Sequence, residues 1–259
     1  MNRFMAMLQF LTRIPVKTEC GFDEEFHKGM YFFPAVGTVI GIIVYIAMAV
    51  SYNIFSGDAF IAALVAVMTE TALTGGLHLD GLGDTADALF SYRTKDRMFE
   101  IMKDSRLGTN AMLAVLFLVL FKVGIIKIMI QLGLDAFVVV MPIVSRFTVL
   151  ILTYRTESPR ENGMGNAFIG KCTAGMIVSG VIYTLISGAV ILFLLAVDVS
   201  VYMYVYFIAG TVITAVFVNI FKKWVYSKID GITGDILGCG IEMAELVFIL
   251  SVCIIEMFL

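Results

Sequence analysis

The sequence predicts an all-α, polytopic membrane helix bundle. Of 259 residues, 60% are hydrophobic and only 15% charged, whereas ordinary soluble domains are about 45–50% apolar. Mean hydropathy is +0.95. Apolar runs recur at the ~20-residue length that a ~30 Å hydrocarbon layer requires. About seven spans are predicted, near 31–50, 59–77, 111–132, 136–154, 174–197, 201–221 and 236–258, forming one integral membrane domain over 1–259. Within it, 1–28 reads as a cytoplasmic N-terminal segment and 78–110 as a cytoplasmic catalytic segment.

The elements are justified in turn. The run Phe4 to Leu11 is too short for a signal peptide, and Arg13 follows it without a small-residue cleavage site. An amphipathic helix on the membrane surface is expected there. The second span is polar, with Thr69, Glu70, Thr71 and Thr74, and the third is interrupted by Lys122 and Lys127. All but three of the 18 Lys and Arg fall before the first span or in the loops after the second, fourth and sixth. The exceptions are Lys122, Lys127 and Arg146, and the loops 51–58, 133–135 and 198–200 hold none. The positive-inside bias therefore puts the N-terminus and the long loops in the cytoplasm.

A net charge of −3 argues against a nucleic-acid partner. Cys20, Cys172, Cys239 and Cys253 show no CxxC spacing, so neither a zinc site nor a disulfide framework is expected. They read as buried thiols.

Three segments carry chemistry. Residues 75–87 place Asp80, Asp84 and Asp87 among Gly75, Gly76, Gly81 and Gly83. On a helix these acids fall within about 60° of one another. Like charges on one face repel, and a divalent cation reverses that. Carboxylate oxygen is what Mg²⁺ takes, shared with substrate phosphates. The glycines would let backbone approach a ligand. His78 is a candidate base, although a lone interfacial histidine is more often structural. Residues 101–110 bring Lys103, Asp104 and Arg106. The cations suit phosphate oxygens, and Asp104 would orient them or join the metal. Residues 230–238 set Thr233 and Asp235 between glycines before the last span, as a helix cap or a second acidic site.

Glu70, Lys122, Arg146, Glu242 and Glu245 lie about 9–16 Å inside their spans at 1.5 Å per residue. Unpaired, each costs at least ~2.5 kcal/mol. Their similar depth predicts mutual pairing around a polar cavity open to the cytoplasm, with Arg146 a candidate substrate contact.

The segments 75–87 and 101–109 resemble cobalamin (5′-phosphate) synthase, also called adenosylcobinamide-GDP ribazoletransferase. Phe10 to Val16, Phe33-Pro34, Ser145-Arg146-Phe147 and Gly231 to Gly238 extend the resemblance over nearly the whole chain in the same order. It implies the last assembly step of cobalamin: adenosylcobinamide-GDP reacts with α-ribazole or its 5′-phosphate, and GMP leaves. It also implies Mg²⁺ as cofactor and carries metal binding onto Asp80, Asp84 and Asp87. Lys103 and Arg106 would clamp the diphosphate, with Asp104, Thr233, Asp235 and Arg146 as substrate contacts. Asp87, with His78 behind it, would take the proton. The expected setting is the inner membrane with a cytoplasmic active site, in a monomer or homo-oligomer. A CDP-alcohol phosphotransferase is disfavoured because Asp80-Gly81 leads to Leu-Gly-Asp-Thr-Ala-Asp and not to Ala-Arg. A prenyltransferase would not account for 101–109. A transporter using Glu70, Lys122 and Arg146 is the rival outside enzymes, but no repeat supports it.

Overall fold

Ten α-helices account for most of the chain in a computed structural model, which describes residues 3–16, 25–160, 163–196 and 200–258. They are α1 (Arg3–Leu11), α2 (Phe33–Ile54), α3 (Ala59–Thr74), α4 (Leu77–Leu89), α5 (Lys95–Ile101), α6 (Thr109–Gln131), α7 (Phe137–Thr153), α8 (Ala174–Leu195), α9 (Val201–Ile229) and α10 (Gly234–Phe258). A 3₁₀ turn, Phe26–Phe32, leads into α2, and another, Met164–Ala167, lies before α8. Among the described residues there is no sheet, only an isolated bridge between Tyr154 and Cys172. The all-α expectation holds. Cys172, Cys239 and Cys253 are buried free thiols, whereas Lys17 and Cys20 lie outside the described residues.

Five of these helices (α2 with its leading turn, α6, α8, α9 and α10) are long and apolar enough to cross a membrane. Their outward faces carry apolar side chains such as Phe117, Phe121, Ile186, Phe193 and Ile220, which suits a multi-pass membrane protein. The predicted second span is broken: α3 and α4 meet at a bend of 90° and qualify only as a pair. The predicted fourth span, α7, has 17 residues, about 26 Å of helix, and every side chain in it except Ile151 is buried. It is the axis of the bundle. Its last carbonyls, which no helical N–H can reach, accept from Lys222 Nζ: Ile151 O at 3.0 Å and Tyr154 O at 2.6 Å.

Helix α2 lies directly on α7. A Cβ at Gly37 would sit 2.3 Å from the Pro142 carbonyl oxygen, and one at Gly41 would sit 2.3 Å from that of Val139. These two glycines, one turn apart, let the backbones touch, as small residues do between membrane helices. Helix α1 buries Ala6, Met7, Leu8 and Leu11 against the Phe26–Phe32 turn and α2. Its apolar face therefore packs on protein, where the sequence suggested a membrane surface.

This packing predicts that Gly41→Ala destabilises the protein by about 1–3 kcal/mol through overpacking, lowering its melting temperature in detergent by several degrees. Gly124→Ala, at a helical glycine with nothing within 4 Å of the added methyl, serves as the control. It is expected to be neutral or stabilising by up to about 1 kcal/mol.

Candidate active site

The bend between α3 and α4 comes from two consecutive left-handed residues, Gly75 (φ 64°) and Gly76 (φ 72°). Their N–H groups donate to Ala72 O and Thr71 O and close α3; side chains other than glycine resist that conformation. Helix α4 is thereby turned across the end of the bundle, carrying all three acids of the Asp triplet. It rests on the start of α10: a Cβ at Gly81 would lie 2.6 Å from Asp235 O, and one at Gly238 would lie 3.2 Å from His78 Cα. The glycines expected to admit a ligand thus bring two helices into backbone contact, joining the first and third chemistry-bearing segments.

Beside this contact lies a cleft of about 180 Å³. Asp80, Asp235, Arg160, His78 and Arg146 are its charged and ionisable lining. Apolar lining comes from Phe10, Phe33, Val149, Phe168 and Ile241. Asp80 is exposed, Asp235 is partly buried and Arg146 is wholly buried, so the cleft runs from the surface into the bundle. Thr233 is buried, and its Oγ1 accepts from Ile236 N at 3.3 Å, capping α10.

Asp84 sits half-buried within the acids. Burial first, then the charges of Asp80, Asp235 and Asp87, push its carboxyl up to about 7. Among the described residues no three His, Cys, Asp or Glu side chains are grouped so as to hold a metal ion by themselves. Mg²⁺, however, is commonly held by one or two carboxylates together with substrate phosphates and water. Hard oxygen donors that repel one another fit a cation arriving with its phosphate.

Asp87 has other partners. Gly108, the N-cap of α6, has no side chain to satisfy the first N–H groups of that helix. Asp87 supplies the missing acceptor from α4: Gly108 N donates to Oδ2 at 2.7 Å and Ala111 N to Oδ1 at 2.9 Å. Both oxygens, proposed from sequence for a metal and a proton, accept backbone N–H groups at a helix N-terminus, where negative charge is favoured.

The expected pairing of buried charges is present. Lys122 Nζ donates to Glu70 at 3.0 Å, Glu242 at 3.2 Å and Glu245. Arg146 Nη1 donates to Glu245, to Ser145 Oγ at 3.0 Å and, more distantly, to Glu70 at 3.5 Å. At the cleft end of this network Arg146 Nη2 faces His78 Nδ1 at 3.5 Å. Burial, and then the Arg146 charge, pull His78 down to about 3, so its ring is neutral.

The basic residues divide differently from expectation. Lys103 and Arg106 are exposed and do not line the cleft. The Arg106 guanidinium folds onto Asp104, with Nε 2.9 Å from Oδ1 and 3.0 Å from Oδ2, which holds the Asp104 carboxyl down at about 2. Besides Arg146, the cation lining the cleft is Arg160, which the sequence offered only as one of many positive-inside charges. Its Nη1 donates to Asp235 at 3.1 Å, and its charge lies 5.4 Å from the Phe99 ring centroid. Among the described residues, Nε and Nη2 are buried without hydrogen-bond partners. The run Ser158-Pro159-Arg160 before a glycine-bearing loop was the available signal.

Two outcomes follow from this geometry. Asp87→Ala is expected to cost about 0.5–2 kcal/mol, the usual loss of a helix cap, seen as a lower melting temperature without added Mg²⁺. The raised Asp84 carboxyl ionises less readily in the folded chain than in the unfolded one, so its contribution to stability is present at low pH and lost as pH rises through about 7. Thermal stability of cation-free protein should therefore fall between about pH 4 and 7, and Asp84→Asn should flatten that slope.

Comparison with known proteins shows the family of the chain. The family described as cobalamin-5-phosphate synthase matches residues 3–253. A protein named adenosylcobinamide-GDP ribazoletransferase from Clostridioides difficile (strain 630) is 48% identical over 255 residues, covering 97% of each chain. Proteins of the same name from Alkaliphilus metalliredigens and Clostridium novyi are 38% and 36% identical, each over at least 96% of both chains. No solved structure matches. With the matching region spanning the bend, the acidic cleft and the buried ion network together, the chain belongs to the cobalamin-5-phosphate synthase family.

Proposed function

We propose that this protein joins adenosylcobinamide-GDP to α-ribazole or its 5′-phosphate, giving adenosylcobalamin or its 5′-phosphate and releasing GMP. The observation that carries the reading is the cleft in which Asp80, Asp235 and Arg160 sit side by side, next to a lining of aromatic and aliphatic side chains. A nucleotide-activated corrinoid has both parts, a charged diphosphate and a large, partly apolar ring.

The ribose hydroxyl oxygen attacks the phosphorus nearest cobinamide. A new P–O bond forms, the bond to the bridging oxygen breaks, and GMP leaves with that electron pair. Asp80 and Asp84 would hold Mg²⁺, which supplies neutralisation of the diphosphate charge. Arg160, whose Nε and Nη2 have no partner among the described residues, would turn to clamp phosphoryl oxygens. Asp235 is freed as Arg160 turns to phosphate and takes the hydroxyl proton, the role first assigned to Asp87. Lys103 and Arg106, on the loop leading to the helix that Asp87 caps, lie outside the cleft. The chain's contribution is mostly orientation and electrostatics. The positive-inside distribution supports an inner-membrane location with this cleft facing the cytoplasm.

The test is GMP release from adenosylcobinamide-GDP by purified protein, requiring both α-ribazole and Mg²⁺. Asp84→Asn and Arg160→Ala are each expected to lower turnover by about a hundredfold or more, with Arg160→Lys recovering part of it. Near-normal turnover in Asp84→Asn would sink the metal assignment, and absence of GMP release from the unaltered protein would sink the activity.

A further inference from the structure

Helix α4 also borders a second cavity, an open groove of about 320 Å³. Leu82, Ala86 and Leu89 line it from α4. At ~100° per residue they are centred about 180° from Asp80, Asp84 and Asp87. The helix that carries the acids therefore turns its opposite face to this groove. The other walls come from α6, α9 and α10, all three long and apolar enough to cross a membrane. The lining from Ala114 to Phe121 on α6 and from Cys239 to Leu246 on α10 begins about 8 Å and ends about 18 Å from each helix start. Phe221 and Trp224 lie about 8–12 Å from the end of α9. These side chains share one depth, that of the acyl chains of a single leaflet in a ~30 Å hydrocarbon layer. Among the described residues no charged side chain lines the groove.

Its rim has a different character. Phe90, next after α4, meets Trp224 of α9 with ring centroids 6.0 Å apart, and tryptophan is enriched at the membrane–water boundary. Phe221, Trp224 and Lys228 follow one face of α9 at spacings of three and four. The Lys95–Asp230 pair, at 2.9 Å, ties the segment after Phe90 to the end of α9. It thereby brings Arg93 and Lys228, both exposed, toward the same edge. Neither side chain has an ion-pair partner among the described residues. The surface thus runs from apolar groove through an aromatic pair to unpaired cations, which is the profile of a phospholipid from chain to phosphate.

An acyl chain gains no hydrophobic free energy by leaving bulk lipid for this groove, because lipid tails are as apolar as leucine. Preference for one lipid must come from the headgroup, and unpaired cations favour negative charge. We propose that the groove binds one anionic phospholipid, with an acyl chain against Leu82, Ala86 and Leu89 and its phosphate at Arg93 and Lys228. The lipid backs the helix whose other face carries the acids.

Trp224 is the single tryptophan of the chain, so its fluorescence reports on the groove. Purified protein in detergent micelles is titrated with phosphatidylglycerol or phosphatidylcholine bearing dibrominated chains, which quench on contact. The expected quenching saturates, and is half-maximal at about a tenfold lower mole fraction for phosphatidylglycerol, as two cations beside one headgroup give after screening. Replacing both cations, by Arg93→Gln with Lys228→Gln, should erase that difference, and their exposure leaves the packing intact. Ala114→Phe fills the groove and should abolish the saturable part, with the melting temperature reporting that the chain stays folded. Equal half-maxima for the two lipids, or quenching simply proportional to mole fraction, would mean ordinary bilayer contact and overturn the proposal. So would saturable quenching that persists in folded Ala114→Phe. A doubled particle mass with Trp224 shielded from both lipids would place a second copy of the chain in the groove and overturn it as well. The measurement needs no turnover, so its outcome is separate from that of the GMP-release assay.

Discussion

Everything at this end of the molecule depends on the ion network around Lys122. One ammonium from α6 reaches carboxylates on α3 and α10, and Arg146 of α7 shares two of them. Three acids and two cations leave one formal negative charge among buried side chains. In a low-dielectric interior an uncompensated charge is expensive, and removing one partner of such a group typically costs about 3–5 kcal/mol. The arrangement therefore specifies how four helices sit against one another more than it adds stability. The apolar surfaces of these helices could slide by a turn at modest cost, but the charges could not.

That constraint explains why the architecture was largely legible in the sequence. Charges that look misplaced within apolar runs are tolerable only if they meet, and Glu70, Lys122, Arg146, Glu242 and Glu245 do meet. What was not legible was the shape of the second span. Hydropathy counts residues and is blind to the sign of φ, so Gly75-Gly76 read as backbone open to a ligand at the end of a span, where the structure has a right-angle turn. The same blindness concealed the short, enclosed character of α7, whose composition is that of any lipid-facing helix.

At the site, the residue types were legible and their partners were not. The Asp triplet was evident as a like-charge cluster, but nothing in its spacing distinguishes an acid aimed at a cleft from one aimed at another helix. Asp87 serves a cap because Gly108, 21 positions away, lacks a side chain to do so. Arg160 was hidden for the opposite reason. It comes from a loop, where a basic residue carries almost no information, and only tertiary folding brings it to Asp235. Lys103, Asp104 and Arg106 were conspicuous because they are adjacent in sequence. That adjacency lets Arg106 and Asp104 neutralise each other at the surface.

The order of the helices along the chain has a consequence for biogenesis. Glu70 belongs to α3, Lys122 to α6 and Arg146 to α7, but Glu242 and Glu245 are on α10, the last helix made. Until α10 emerges, the nascent bundle holds two cations against a single carboxylate and cannot close its interior. The glycine contact of α10 with α4 arrives at the same moment, so one helix completes both the buried charge set and the cleft.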